Sequence, residues 1–326
     1  MHNKIETILV TGGAGFIGSH LIARLLQDGI RVLAIDDLST GSLENIKAFR
    51  PNSHFKFEQS TLSKSPLLES WIESSDYVVH LAAAVGVELV VASPIRTIRT
   101  NLDETSFLLD AASRIGSTPV LLASTSEVYG KSNLPDFSED DDLIIGPPTF
   151  GRWSYACSKL MDEFLALAYA REKCLPLVIT RFFNTVGPRQ TGKYGMVVPR
   201  FIEAATHGHP LRVYGDGDQS RCFCYVEDTV ESLIRLMQCP EASGQIFNIG
   251  TTEEVSIRCL AERIIELTGS KSEIQQVSYD TAYGQGFQDM RRRRPNVQKL
   301  NKYIGFQPAI SLDETIRRIV VARIES

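Results

Sequence analysis

Apolar runs and helical stripes alternate along the first 190 residues. Residues 7–10 form a short continuous apolar run, expected to be a buried strand, and 21–26 follow with helical spacing. Residues 31–35 predict a second strand, and 77–83 a third that runs into small residues. A helix over 105–114, a strand over 119–123, a helix over 153–170 and a strand over 177–182 continue the series. Strands alternating with helices in this way predict an α/β fold with a doubly wound parallel sheet. Residues 137–152 read as a loop, acidic from Glu139 to Asp142 and then punctuated by Gly146, Pro147 and Pro148.

From about residue 190 the pattern changes to shorter pieces separated by glycine and proline. A helix ends near His207, strand-like runs cover 211–217 and 221–226, and helices cover 228–237 and 256–267 with the run 245–250 between them. The expected division is a sheet domain over 1–189 and a smaller α/β lobe, mainly for substrate, over 190–326, with some segments returning to the first.

Composition narrows the class. The 326 residues are 43% hydrophobic and 22% charged, enough for a full core, and the formal net charge is -5. With a sequence pI near 5.8, nucleic acid is not an expected partner. The six cysteines lack metal or disulfide spacing; Cys222-Phe223-Cys224 has no second pair, so all six are expected to be reduced thiols and no metal is expected. Residues 1–6 lead into the first strand without a leader pattern, and no apolar stretch approaches a membrane span. A cytoplasmic protein is the expectation.

Two patterns carry candidate chemistry. After the first strand, Gly12, Gly15 and Gly18 open the helix beginning with Phe16 and Ile17; glycines there let the backbone approach a pyrophosphate seated on the helix N-terminus. The second strand ends in Asp36-Asp37, and Asp36 lies where a carboxylate accepts from the adenosine ribose hydroxyls and repels a 2′-phosphate. NAD is therefore expected over NADP. The other pattern is Tyr155-x-x-x-Lys159, which places a phenol and an ammonium on one helix face. A cation held close favours the phenolate and makes the tyrosine a usable base.

Together these motifs resemble the extended short-chain dehydrogenase/reductase superfamily, in the branch acting on nucleotide sugars. The resemblance rests on Gly12-x-x-Gly15-x-x-Gly18, Asp36, His80-Leu81-Ala82-Ala83, Tyr155-x-x-x-Lys159, Arg181-Phe182-Phe183-Asn184-x-x-Gly187-Pro188-Arg189 and Val213-Tyr214-Gly215-Asp216-Gly217. It implies a Rossmann domain holding NAD through Gly12, Gly15, Phe16, Ile17, Gly18, Asp36, Asp37, Leu81, Ala82, Ala83, Asn101, Tyr155 and Lys159. Tyr155 is then the base, Lys159 anchors the nicotinamide ribose and Thr125 bonds the reacting hydroxyl. A nucleotide sugar is implied at Ser126, Asn184, Arg189, Val198, Tyr214, Arg221 and Arg293, with Asn184 and Arg221 on the diphosphate. His80 is expected to pack rather than to act as a base, and Arg291 and Arg292 to form a solvated face. Relatives dimerise through two helices per subunit, which implies a homodimer through the Thr105 and Trp153 helices.

Finer features are similar to UDP-glucuronate decarboxylases: Ser124-Thr125-Ser126-Glu127-Val128-Tyr129-Gly130, Arg152-Trp153-x-Tyr155, and the segment from Tyr283 through Asp289 to Arg293-Arg294-Pro295. That likeness implies oxidation of a UDP-sugar at C4, loss of carbon dioxide, and proton transfers at C5 by Glu127 and Arg293. Arg293 as a plain phosphate clamp is the other reading. A departure stands at Glu88, whose charge would oppose a uronate carboxylate. The alternative activity is 4-epimerisation of a UDP-sugar; 4,6-dehydration is disfavoured because Ser126 stands where an acid is needed, and a catalytically silent NAD-binding protein is disfavoured by the intact Thr125, Tyr155 and Lys159.

Overall fold

A computed structural model describes residues 4–86, 90, 92–116, 118–283 and 289–324. Strands β1 (Thr7–Thr11), β2 (Arg31–Asp36), β3 (Phe55–Gln59), β4 (Tyr77–His80), β5 (Val120–Thr125) and β6 (Leu177–Phe182) belong to one parallel sheet. Side chains alternate between its faces as the two-residue strand period requires. Ile8 and Val10, Val32 and Ala34, Val79, Leu121 and Val178 enter one core. Leu9, Leu33 and Ile35, Val78, Val120 and Leu122, Leu177 and Ile179 enter the other. Helices cover both faces, which is why these strands read as continuous apolar runs.

The second half supplies β7 (Thr185–Val186), β8 (Leu211–Tyr214), β9 (Ser220–Cys222), β10 (Cys224–Tyr225), β11 (Gln245–Ile249), β12 (Glu254–Ser256) and β13 (Ile274–Val277). The main sheet has the order β11-β6-β5-β4-β1-β2-β3. Its order reverses between β1 and β4, the switch point beside which ligands bind in doubly wound sheets. β11 pairs in register with β6, and the helix Val226–Met237 fills the first core, so both return to the sheet domain. The remaining lobe has its own core between the helices Val197–Thr206, Ile257–Thr268 and Leu312–Ile324.

Two elements differ from expectation. Between Asp37 and Tyr77 the pattern assigned nothing, yet β3 is the sheet's edge strand. The helix expected over 105–114 runs Pro94–Ile115, with proline in its first turn. Its first half buries Thr97, Asn101 and Thr105, spaced four apart, so the inward stripe is polar and the hydrophobic signal is missing. No helix among the described residues is long and apolar enough to cross a membrane.

Candidate functional site

Two clefts open at the carboxyl edge of the sheet, and Tyr155 lines both. The first is lined by Gly12, Gly15, Phe16, Ile17, Gly18, Asp36, Asp37, Leu81, Ala82, Ala83, Tyr155 and Lys159, all expected cofactor residues. Gly12 adopts φ +69°, and a Cβ there would lie 2.7 Å from the Ala82 nitrogen. A Cβ on Gly18 would lie 2.2 Å from the Gly12 oxygen, so the loop and the helix N-terminus close only on glycine. The Asp36 carboxylate accepts from the Ala14 amide at 2.9 Å and the Leu38 amide at 2.7 Å, which fixes it at the strand end. Burial, against those amides, raises its pKa. Glycine cradle, helix terminus and terminal aspartate together fit a dinucleotide. Asn101 does not line this cleft: it is buried, accepting from the Ala84 amide at 2.8 Å and donating to Ser158 Oγ at 3.0 Å. It braces the loop after β4.

The second cleft lies between the sheet domain and the lobe. Asn184, Val198, Tyr214, Arg221 and Arg293 line it, as expected. Arg189 lines neither cleft. The chain is left-handed at Asn184 and Arg189, and the Arg189 guanidinium lies 5.8 Å from the Phe49 ring centre. Ser126 is buried behind the site, its hydroxyl without a hydrogen-bond partner among the described residues. His80 is buried between Thr11 and Thr105, as a packing residue would be. Of the arginine run, Arg291 is exposed and bonds Asp216, while Arg292 is partly buried and held by both Glu254 oxygens at 2.6 Å. Glu88 lies outside the described residues.

At the centre of this cleft is a buried ion network that includes two residues not foreseen as functional. Arg152 donates to Glu127 Oε2 at 2.8 Å and to Asp289 Oδ1 at 3.0 Å. Arg293 donates to Glu127 Oε1 at 3.1 Å and to Asn184 Oδ1, and Arg221 donates to Asp289 Oδ2 at 2.9 Å. Burial works to raise the Glu127 carboxyl, but Arg152 and then Arg293 outweigh it and hold it below its ordinary value. Asp289 is lowered similarly, burial being overcome by Arg221 and Arg152. Burial lowers Arg293 to about 10. Glu127 therefore carries no proton at neutral pH and, in this state, cannot be the acid that C5 requires. Arg152 and Asp289 lay inside quoted motifs, but nothing local indicated that they would share one ion network.

Tyr155 also departs from expectation. Burial, then the Glu127 charge, raises its pKa, with a Thr125 hydrogen bond opposing. The Lys159 charge does not reverse this rise; its ammonium lies 2.8 Å from Asp162 Oδ2, and the Asp162 charge adds to the rise.

A doubly wound sheet, a glycine-cradled dinucleotide cleft and a Tyr-Lys pair at the junction with a second, arginine-rich cleft define a nucleotide-dependent oxidoreductase-type site. Residues 8–250 match the family model described as the NAD dependent epimerase/dehydratase family, and the chain belongs to that family. A UDP-N-acetyl-alpha-D-glucosaminuronate decarboxylase of Bacillus cytotoxicus is 42% identical, over 96% of each chain. UDP-glucuronic acid decarboxylase 1 of Xenopus tropicalis is 35% identical, over 97% of this chain and 71% of its own. The structure of a UDP-glucuronic acid 4-epimerase from Bacillus cereus, solved with UDP-glucuronic acid and NAD, superposes with a TM-score of 0.88 at 28% identity, over 98% of this chain and 99% of that one.

Proposed function

We propose that this protein is an NAD-dependent decarboxylase of a UDP-linked uronic acid, working through a transient 4-keto sugar. The observation that carries this reading is Glu127 clamped between Arg152 and Arg293 in the cleft that Tyr155 enters. Its described lining has five arginines (Arg152, Arg200, Arg212, Arg221 and Arg293) against two carboxylates, Glu127 and Asp289. That surplus suits a diphosphate plus a uronate. The two decarboxylase relatives differ in whether the named sugar is 2-acetamido, and both uronates are candidate substrates.

NAD, when bound, supplies reversible oxidation at the sugar C4. Tyr155 takes the C4 hydroxyl proton, and Thr125 holds that oxygen. The resulting 4-ketone makes the C6 carboxylate a β-keto acid. The C5–C6 bond breaks, carbon dioxide leaves, and its electron pair enters the carbonyl as an enolate that Tyr155 and Thr125 stabilise by hydrogen bonding. A uronate carboxylate near Glu127 competes for Arg152 and Arg293 and adds a like charge, both of which raise the Glu127 pKa. Glu127 can then take up a proton on substrate binding and give it to C5 after carbon dioxide has gone. Arg293 thus acts as the charge partner of both carboxylates.

The second reading is 4-epimerisation, favoured by the likeness to the Bacillus cereus enzyme. Incubation with UDP-glucuronate and its 2-acetamido counterpart, followed by mass spectrometry, decides: the decarboxylase reading requires a product lighter by carbon dioxide, and an isobaric product alone overturns it. We further propose a homodimer through Pro94–Ile115 and Trp153–Lys173, which leave Ile95, Phe107, Met161 and Phe164 exposed. Sedimentation of Phe164→Glu tests it, a monomer being expected.

A further inference from the structure

We propose that Asp162 is a positioning residue for Lys159, holding the ammonium in a buried ion pair and shielding Tyr155 from its charge. The inference rests on the assignment of Tyr155 as the base. Lys159 Nζ and Asp162 Oδ2 are 2.8 Å apart, three residues along one helix, with side chains 3% and 0% exposed. An ammonium has three donors, and Asp162 occupies one, leaving others for the cofactor cleft that Lys159 lines.

A row of hydrogen bonds lies behind this pair. The Ala82 amide donates to Thr11 Oγ1 at 3.3 Å; Thr11 Oγ1 and His80 Nδ1 are 2.7 Å apart, and His80 Nε2 and Thr105 Oγ1 are 3.2 Å apart. The Thr105 hydroxyl acts on the Asp162 carboxylate against the burial that raises its pKa, although Asp162 Oδ1 has no hydrogen-bond partner among the described residues. Burial, then the Lys159 charge, lowers His80 to about 3, so its ring is neutral. With a neutral ring, one arrangement of hydrogens satisfies the histidine: Thr11 donates to Nδ1, and Nε2–H donates to Thr105. The row runs from the backbone of the cofactor cleft to the Thr105 hydroxyl, beside the carboxylate that holds the lysine. Breaking it would leave a buried polar group unmatched.

The charged groups around this pair come from several elements. Glu127 and Arg293 act on Tyr155 from the turn after β5 and from the stretch before Pro295. Glu163, next to Asp162, is taken up by Arg181 at 2.7 Å and by Ser124. Among these, Asp162 is the carboxylate in direct contact with the lysine, so its charge sets how much of the ammonium's field reaches the phenol.

Asp162→Asn keeps an acceptor for the ammonium and removes the charge; Asp162→Ser does so with a smaller side chain, should the amide fail to fold. The readout is the titration of Tyr155 in NAD-loaded protein labelled with ¹³Cζ-tyrosine, the resonance assigned with Tyr155→Phe. We expect the midpoint to fall by about one pH unit, about tenfold more phenolate at a fixed pH below it. The acid limb of turnover against pH should move by the same amount. A midpoint that stays or rises overturns the proposal. The spectroscopic arm needs no substrate, so a failure of the decarboxylase reading would appear separately, as absence of a decarboxylated product.

Discussion

The cofactor cleft and the sugar cleft meet at Tyr155, but they are built from different material. The cofactor side is mostly backbone: a glycine loop, a helix terminus, and small residues after β4, with Asp36 fixed by two amides. The sugar side is mostly charge. Its network joins Arg152 to Glu127 across 25 residues, Arg221 to Asp289 across 68, Arg152 to Asp289 across 137 and Arg293 to Glu127 across 166. A cradle for a constant cofactor can be rigid and local, whereas a pocket for a charged sugar needs its guanidiniums held apart by carboxylates until substrate arrives. The two sides should therefore fail differently when altered.

Tyr155→Phe tests the point they share, and its effect should be the largest. Turnover of the UDP-uronate should fall by about 10³–10⁴-fold, at the upper end for loss of a general base, while NAD stays bound. Near-parental turnover would remove the tyrosyl oxygen from the mechanism. On the sugar side alone, Glu127→Gln should reduce formation of the C5-protonated, decarboxylated product by about 100-fold and leave NAD affinity unchanged. An equal loss of NAD would show that the network is a structural support for the whole junction. On the cofactor side alone, Gly12→Ala forces a Cβ to within 2.7 Å of the Ala82 backbone at a positive φ. Isothermal titration should show NAD weakened by about tenfold or more, with UDP binding preserved.

The same contrast explains what could be read from the residues alone. The glycine loop, Asp36 and the Tyr155–Lys159 pair are each encoded within a few positions, and they face the cleft expected of them. The sheet followed from apolar runs because helices cover both its faces. Edge strand β3 escapes the pattern because Phe55–Gln59 has only two apolar residues, Phe55 and Phe57, although Pro51, Asn52 and Ser53 mark the turn before it. The polar inward stripe of Pro94–Ile115 hid half a helix. Asn101 and Arg189 follow the motif in sequence, but their side chains serve the loop after β4 and the Phe49 ring. The partners of Glu127 arise from tertiary pairing, which no local spacing encodes. The Lys159–Asp162 contact is local, three residues apart on one helix, and competes with the four-residue spacing to Tyr155.

That supporting row gives the smallest of the expected effects, in stability rather than catalysis. His80 is buried and its pKa is lowered to about 3, first by burial and then by Lys159. An unfolded histidine titrates near 6.5. Above that pH neither state holds the proton; between 6.5 and 3 the unfolded chain binds one that the folded chain refuses. Stability must therefore fall as the pH falls through this window, by about 1.4 kcal/mol per pH unit at most for one histidine. Asp36, Glu139 and Asp162 have raised pKa values and act in the opposite sense on acidification. A single unfolding curve would mix these contributions, whereas a difference between two proteins removes the shared part. His80→Asn costs a fixed amount in lost packing and hydrogen bonding, but it carries no titrating ring. Urea unfolding of both proteins at pH 7, 6 and 5 should show the parent losing about 1 kcal/mol more than the variant between pH 6 and 5. Parallel losses would mean that His80 takes up a proton within the fold, both ring nitrogens then donating, one to Thr11 and one to Thr105.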